Sequence, residues 1–259
     1  SENGIYIWDV GTENQLDSIP IFEYVTSLSF LNNNEDLLIG TENGTVFFHD
    51  FDLRQTDTLS AGNSTVRSVN ICPNKDLALT AFDSEKLLIW ENTGSDWIRK
   101  DSLISDFGNF TLAKFSPDGK MILTGTSEGI GQVWNVENGA LLRNLKKHDG
   151  ILNSVEMSAD GKSVFTAAED NLIKKWDFPY DIPYTEIQTG NRRVRALEFS
   201  DDGTKLVSGV QSDGIFVINP NDGTIHSHYT EIKRRPTAIS VLPNQNINLS
   251  AYQREPYVH

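Results

Sequence analysis

The sequence predicts an all-β protein built from repeats of one small unit, and three observations support this prediction. Tryptophan recurs at Trp90, Trp134 and Trp176, which lie 44 and 42 residues apart. Apolar runs of strand length alternate with tight-turn sequences along the chain. No long stretch shows the apolar spacing of an amphipathic helix. A unit of this length cannot bury its apolar face alone, so we expect the units to stack on one another.

Each unit contains four short segments that are separated by turn sequences. In one unit, the first three segments are residues 112–115, 121–124 and 130–134. Asp118 and Gly119 separate the first two, and an Asp-Gly pair supplies the positive φ that a tight hairpin requires. A less regular fourth segment follows. Four antiparallel strands in about 42 residues are typical of one blade of a β-propeller.

The repeat divides the chain into complete and partial blades. First strands are expected to begin near Val25, Val66, Phe110, Leu152, Val194 and Pro236. Complete blades then cover about 25–62, 66–105, 110–147, 152–190 and 194–230. The partial blades 1–24 and 236–259 both claim a third strand, so we predict seven blades with incomplete terminal blades. A closed six-bladed ring is the alternative. No linker interrupts the repeat, which predicts one domain over 1–259.

The units resemble the blades of the WD-repeat β-propeller family. Trp8 with Asp9, and Trp176 with Asp177, carry the signature pair of that family. His49 stands where other units have a tryptophan. The resemblance covers nearly the whole chain and implies that each blade is a four-stranded antiparallel sheet.

The resemblance also implies a structural relay within one blade. In the family, residues at four places form a chain of hydrogen bonds that ties the strands and a loop together. The best-matching unit has His148, Thr166, Asp170 and Trp176 at these places. A relay suits the chemistry of these side chains, because a buried indole N–H or hydroxyl without a partner costs on the order of 1 to 3 kcal/mol.

Composition excludes several classes of function. The formal net charge of −14 argues against binding to duplex nucleic acid, which requires clustered lysine and arginine. Cys72 is the single cysteine, so no intrachain disulfide can form, which favours a cytoplasmic or otherwise intracellular location. No apolar run approaches the roughly 20 residues that span a bilayer, so membrane insertion is not expected.

No constellation of catalytic or metal-ligating residues stands out. His226 and His228 share one face of a strand, but zinc sites use three or four ligands. We therefore expect no catalytic residues, no metal and no cofactor. The alternative is a catalytic or small-ligand-binding propeller with part of its site outside this segment, and a metal at the two histidines would favour that alternative.

A polar and basic ring is predicted where the first strands begin. The second residues of these strands are Thr26, Arg67, Thr111, Asn153, Arg195 and Thr237. Basic residues in the preceding loops are Arg192, Arg193, Lys233, Arg234 and Arg235. On so acidic a chain this ring predicts a site for a protein or an acidic peptide, because arginine binds carboxylates with two hydrogen bonds. The alternative is that these are solvated loop charges. The family resemblance also implies a partner surface at this rim, so we expect a noncatalytic interaction scaffold that is one module of a larger protein or complex.

Overall fold

The computed structural model of the chain is all-β in the part that it describes. That part comprises residues 4–9, 12, 14–30, 36–73, 76–94, 96–145, 148–179, 184–230, 236–241 and 248–252. Only the backbone is described at residues 60–61, 236–238, 240–241 and 248–252. Among the described residues, no helix is long and apolar enough to cross a membrane. The chain forms two compact units, Ser1–Ile104 and Ser105–His259, here called unit 1 and unit 2.

Unit 1 contains two four-stranded sheets and one two-stranded sheet among its described residues. Its strands are β1 (Gly4–Trp8), β2 (Gln15–Pro20), β3 (Val25–Phe30), β4 (Asp36–Thr41), β5 (Thr45–Asp50), β6 (Gln55–Ala61), β7 (Val66–Ile71), β8 (Leu77–Phe82), β9 (Lys86–Asn92) and β10 (Trp97–Ile104). The sheets are β1–β2, β3–β4–β5–β6 and β7–β8–β9–β10, and every pairing is antiparallel.

Unit 2 repeats the same sheet three times. Its strands are β11 (Phe110–Phe115), β12 (Met121–Thr126), β13 (Gly131–Asn135), β14 (Leu141–Leu145), β15 (Leu152–Met157), β16 (Ser163–Ala168), β17 (Leu172–Asp177), β18 (Thr185–Gln188), β19 (Val194–Phe199), β20 (Leu206–Val210), β21 (Gly214–Ile218), β22 (Ile225–Tyr229), β23 (Pro236–Val241) and β24 (Asn248–Tyr252). Three four-stranded sheets in chain order precede the two-stranded β23–β24. The predicted first strands thus begin at the residues where the repeat places them.

The two-stranded sheets lie at the two ends of the described chain, as the prediction of incomplete terminal blades requires. Sheet β1–β2 has the third and fourth strands of a blade, and sheet β23–β24 has the first and second. Whether seven blades or a closed ring of six is formed stays a prediction, as does the single domain over 1–259.

The hairpin between the first and second strands is the predicted Asp-Gly turn. Gly119 and Gly161 have φ values of 66° and 70°, which a side chain would strain. The Asp118 carboxylate accepts hydrogen bonds from the Ser116 hydroxyl, at 2.7 Å, and from the Lys120 backbone N–H, at 3.1 Å. Partial burial alone would raise the pKa of Asp118, but these hydrogen bonds outweigh it and keep the pKa below the usual range.

Neighbouring blades approach closely through glycines in their second strands. A Cβ atom on Gly40 would lie 2.4 Å from Cγ1 of Val66, and one on Gly125 would lie 2.6 Å from Cδ2 of Leu152. Both Val66 and Leu152 are the first residues of the following first strand, and both are fully buried. The absence of a side chain therefore lets the next sheet pack against the second strand.

A bulge recurs at one position in all six first strands. In β15, Leu152 pairs with Ala168 and Ser154 pairs with Ala167, so the register passes over Asn153. The same register shift occurs at Thr26, Arg67, Thr111, Arg195 and Thr237. A bulge re-aims the side chain of the extra residue. These six bulge residues are the six positions that the sequence predicts for the partner ring.

The core of unit 1 leaves one first strand partly uncovered. Leu28 and Phe30 of β3 are 47% and 53% exposed, whereas the corresponding Val69 and Ile71 of β7 are 4% and 8% exposed. Strands β1 and β2 contribute Ile5 and other apolar residues that pack against β4. Strands β1 and β2 correspond to the third and fourth strands of a blade. The sheet β1–β2 therefore provides no first strand that could cover the side chains of β3.

Candidate partner-binding rim

The predicted relay residues lie together in the sheet β15–β18. The Trp176 indole N–H donates to Oγ1 of Thr166 at 2.8 Å, and that hydroxyl lies 2.7 Å from Nε2 of His148. Nδ1 of His148 lies 2.8 Å from Oδ2 of Asp170. Burial lowers the pKa of His148 even though Asp170 opposes the shift, which favours a neutral imidazole. A neutral ring accepts the Thr166 proton at Nε2 and donates to Asp170 from Nδ1, so all four side chains are satisfied.

Two further blades keep only the tryptophan and threonine of the relay. The indole of Trp90 donates to Oγ1 of Thr80 at 2.9 Å, and that of Trp134 donates to Oγ1 of Thr124 at 3.0 Å. All of these tryptophans are buried. Trp8 differs, because it is 56% exposed in the two-stranded sheet β1–β2, which contains no second strand to supply a threonine. The signature pair of Trp8 and Asp9 therefore does not place this tryptophan in the kind of site that the other three occupy.

Three of the predicted partner residues bond to the neighbouring blade. The hydroxyl of Thr26 donates to the backbone oxygen of Val66 at 2.6 Å, and that of Thr111 donates to the oxygen of Leu152 at 2.6 Å. The amide of Asn153 donates to the oxygen of Val194 at 2.8 Å in the same manner. Each acceptor is the first residue of the next first strand. The bulge directs these side chains toward the next blade. We call the resulting bonds, which join consecutive sheets, blade stitches.

The arginines of the ring are paired with carboxylates that the sequence does not place beside them. Nη2 of Arg67 lies 2.6 Å from Oδ2 of Asp83, and both side chains are exposed. In unit 2, Nη1 of Arg195 lies 3.0 Å from Oε1 of Glu169, and Nη1 of Arg193 lies 3.1 Å from the same oxygen. Asp83 and Glu169 each follow the second strand of a blade, directly beside the beginning of a first strand.

The remaining basic residues of the prediction fall into two groups. Arg192 is exposed, and together with Arg193 and Arg195 it forms what we call the basic rim of unit 2. Lys233, Arg234 and Arg235 lie outside the described residues, and the side chain of Thr237 does as well.

Sequence reasoning missed a charged cluster in the first strands of unit 2. Nζ of Lys114 contacts Glu156 closely and lies 3.3 Å from Oε2 of Glu198. Burial raises the pKa of Glu156 to about 7, with Lys114 opposing the shift and Glu198 adding to it. Burial alone would lower the pKa of Lys114, but the two carboxylates raise it. The three residues occupy the fifth position of successive first strands, and comparing that position along the repeat would have revealed the cluster.

The histidine pair of β22 has other contacts. Nε2 of His228 lies 2.7 Å from the backbone oxygen of Asp213, and its ring stacks on Phe216 with centroids 3.8 Å apart. His226 is exposed. Within the described ranges, no three histidine, cysteine, aspartate or glutamate side chains are placed to share a metal ion.

Known proteins resemble the chain over part of its length. The Serine-threonine kinase receptor-associated protein of Gallus gallus is 24% identical over 136 residues, which is 52% of this chain and 38% of that protein. The Periodic tryptophan protein 2 homolog of Mus musculus is 27% identical over 129 residues, which is 49% of this chain and 14% of that protein. The chain thus spans less than half the length of these curated relatives.

A family model and a solved structure match the repeat itself. The model of the WD domain, G-beta repeat, matches residues 139–177 and 184–219. The crystal structure of the Myceliophteria thermophila Cps50 (Swd1) beta-propeller domain has a TM-score of 0.80 and 15% identity, and it covers 97% of this chain and 87% of that chain. At such low identity this likeness establishes the fold alone. Together with the antiparallel sheets and the His148 relay, these matches show that the chain has a β-propeller fold with WD repeats at residues 139–177 and 184–219.

Proposed function

We propose that this chain is a noncatalytic scaffold that binds an acidic segment of a protein partner at the basic rim of unit 2. Propellers with WD repeats typically serve as scaffolds for protein interactions. We propose an intracellular location as well, since the single cysteine, Cys72, is buried and leaves no disulfide framework for an oxidising compartment.

The observation that carries this proposal is that two arginines share one carboxylate. Arg193 and Arg195 both contact Oε1 of Glu169, at 3.1 Å and 3.0 Å. Nη2 of Arg195 also donates to Oε1 of Gln211 at 3.0 Å. A guanidinium has five donors, so both arginines keep donors for a second anion. Arg192 adds a third arginine to the rim of a chain whose formal net charge is −14. A carboxylate of the partner would accept paired hydrogen bonds here.

Charge reversal tests the proposal when it is compared with an equal change elsewhere. The variant Arg192→Glu with Arg193→Glu is expected to lose most acidic partners that the full-length protein captures from lysate. The control is Lys120→Glu with Lys162→Glu, which changes the net charge by the same amount at the opposite ends of the strands in unit 2. Lys120 and Lys162 are 75% and 79% exposed, so the control should retain the partners. Quantitative mass spectrometry of the captured proteins measures both effects.

Thermal unfolding distinguishes lost binding from lost folding. Exposed ion pairs contribute about 0 to 1 kcal/mol, so both double variants should unfold within a few degrees of the unaltered protein. Equal capture by the rim variant and the control would contradict the proposed site.

A further inference from the structure

Unit 1 contains a cavity of about 340 Å³ at the end of the sheet β7–β10 where the chain leads into β7. The buried side chains of Phe82, Leu88 and Trp90 form its apolar wall. Lys86 and Arg99 line it as well, and both side chains are exposed. The size of the cavity falls within the range of small-molecule sites, roughly 300 to 1,000 Å³.

Two residues that line the cavity correspond in position to relay residues of another blade. Gly62 stands four residues before β7, as His148 stands four residues before β15, and Gly62 lines the cavity. Ser84 lines it too, at the place of Asp170. This blade has therefore kept the tryptophan and the threonine of the relay but has lost its imidazole.

A side chain has room to extend from position 62. The nearest atoms to a Cβ atom built on Gly62 are the backbone oxygen of Gly44, at 3.4 Å, and Cε1 of Phe82, at 3.5 Å. These are ordinary contact distances, so a Cβ atom fits at position 62 beside the ring of Phe82.

The residues that line the cavity favour a ligand with a flat ring and a negative charge. A flat ring fits against Trp90 and Phe82, because aromatic side chains pack favourably against other rings. The Ser84 hydroxyl accepts a hydrogen bond from the Lys86 backbone N–H at 3.2 Å and can still donate one to a polar atom of such a ring, as can the Ser64 hydroxyl. Two cations and no carboxylates are among the lining residues, which favours an anionic substituent on the ligand.

We propose that this cavity binds a small aromatic carboxylate, with its ring at the vacated imidazole place and its carboxylate at Lys86 and Arg99. The site is separate from the basic rim of unit 2 and goes beyond the scaffold function proposed above.

Two compounds that share a ring but differ in charge test the proposal. Imidazole-4-acetate carries the ring and a carboxylate, whereas histamine carries the same ring and an ammonium group. In calorimetric titrations of the full chain, imidazole-4-acetate is expected to bind saturably and at least tenfold more tightly than histamine. Equal affinities, or no saturable binding of imidazole-4-acetate, would overturn the proposal.

Variants of the lining residues test whether imidazole-4-acetate binds in this cavity. Gly62→His places an imidazole of the protein in the cavity, where it competes with the ring of the ligand. We expect this variant to bind imidazole-4-acetate at least tenfold more weakly. Lys86→Glu reverses the charge of an exposed side chain without touching the core, and it should weaken binding similarly even if Gly62→His fails to fold. Lys120→Glu in unit 2 is the control and should leave the affinity unchanged.

Two results would contradict the assignment at this stage. One is binding of imidazole-4-acetate that persists in the Lys86→Glu variant. The other concerns an acetylated tripeptide ending in histidine, which presents the same ring and carboxylate. Binding of this peptide tenfold more tightly than the free acid would assign the cavity to a protein tail instead.

Discussion

The bond between a tryptophan and a second-strand threonine is a residue-scale feature that three blades share. It recurs at Trp90, Trp134 and Trp176 with nearly the same length, from 2.8 to 3.0 Å. The spacing of tryptophan predicted these positions correctly. The signature pair did not show that Trp8 is exposed, because burial of the tryptophan depends on the neighbouring second strand.

Trp176→Ala is expected to lower the free energy of unfolding by about 3 to 5 kcal/mol, because it empties a buried aromatic site. Trp8→Ala is the matched control. Its indole is more than half exposed, so the expected loss is below about 1 kcal/mol. Urea unfolding of both variants measures the difference, and equal losses would mean that Trp8 is covered in the protein.

The sequence located the ring residues but not what their side chains contact. A bulge is one extra residue in the pairing of two strands, and the apolar pattern of β3 or β15 does not show it. The carboxylates that pair with the ring arginines come from turns 16 and 26 residues away, at Asp83 for Arg67 and Glu169 for Arg195. Tertiary contacts of this kind follow from the packing of neighbouring blades.

At the scale of the strand, the first strands of the blades have the same pattern of apolar residues, but these side chains are not equally buried. The boundaries of the first strands followed from the repeat, because turn chemistry and alternation are local properties. The exposure of Leu28 and Phe30 in β3 did not, since it depends on which strands lie beside β3. An uncovered apolar pair of this kind is typical of a surface that another segment or molecule covers.

Substitution in β3 and β7 should reveal this inequality. Leu28→Ser with Phe30→Ser is expected to change the free energy of unfolding by less than about 1 kcal/mol, since both side chains are about half exposed. Val69→Ser with Ile71→Ser removes the corresponding buried pair and should cost about 3 kcal/mol or more. Chemical denaturation measures both. A loss as large in β3 as in β7 would show that β3 is covered in solution.

At the scale of the whole molecule, charge is distributed unevenly over an acidic chain. The formal net charge is −14, yet Lys114 in unit 2 is held between two carboxylates of the following blades. Composition predicted the acidic surface but not this cluster. Burial, to which the nearby Glu198 adds, raises the pKa of Glu156 to about 7, so Glu156 resists ionisation near neutral pH.

The stability of the protein should therefore depend on pH through Glu156. The folded-state pKa of Glu156 is raised to about 7, so its contribution is complete below about 4.5 and is lost as pH rises through 7. Glu156→Gln removes this loss. The free energy of unfolding of the variant minus that of the unaltered protein should therefore increase by about 1 to 3 kcal/mol from pH 4.5 to pH 8.

Unfolding in urea across that pH range measures the difference. His49 and His148, whose pKa values burial lowers, destabilise the fold as pH falls. They are present in both proteins and cancel in the comparison. Parallel stability curves would contradict the assignment to Glu156.

The number of blades is the whole-molecule property that the sequence left open. The repeat predicts each blade from its own turns and strands, but ring closure depends on how the terminal strands β1 and β24 are completed. Each lies in a two-stranded sheet. Local pattern contains no information on that long-range pairing.

The blade stitches have a consequence for how the chain folds during synthesis. Thr26 bonds to Val66, Thr111 to Leu152 and Asn153 to Val194, so each stitch joins residues 40 or 41 positions apart. The entropy of closing such a loop is nearly the same for every stitch. Within each unit, a blade that leaves the ribosome can therefore dock on its predecessor at once, without waiting for distant sequence.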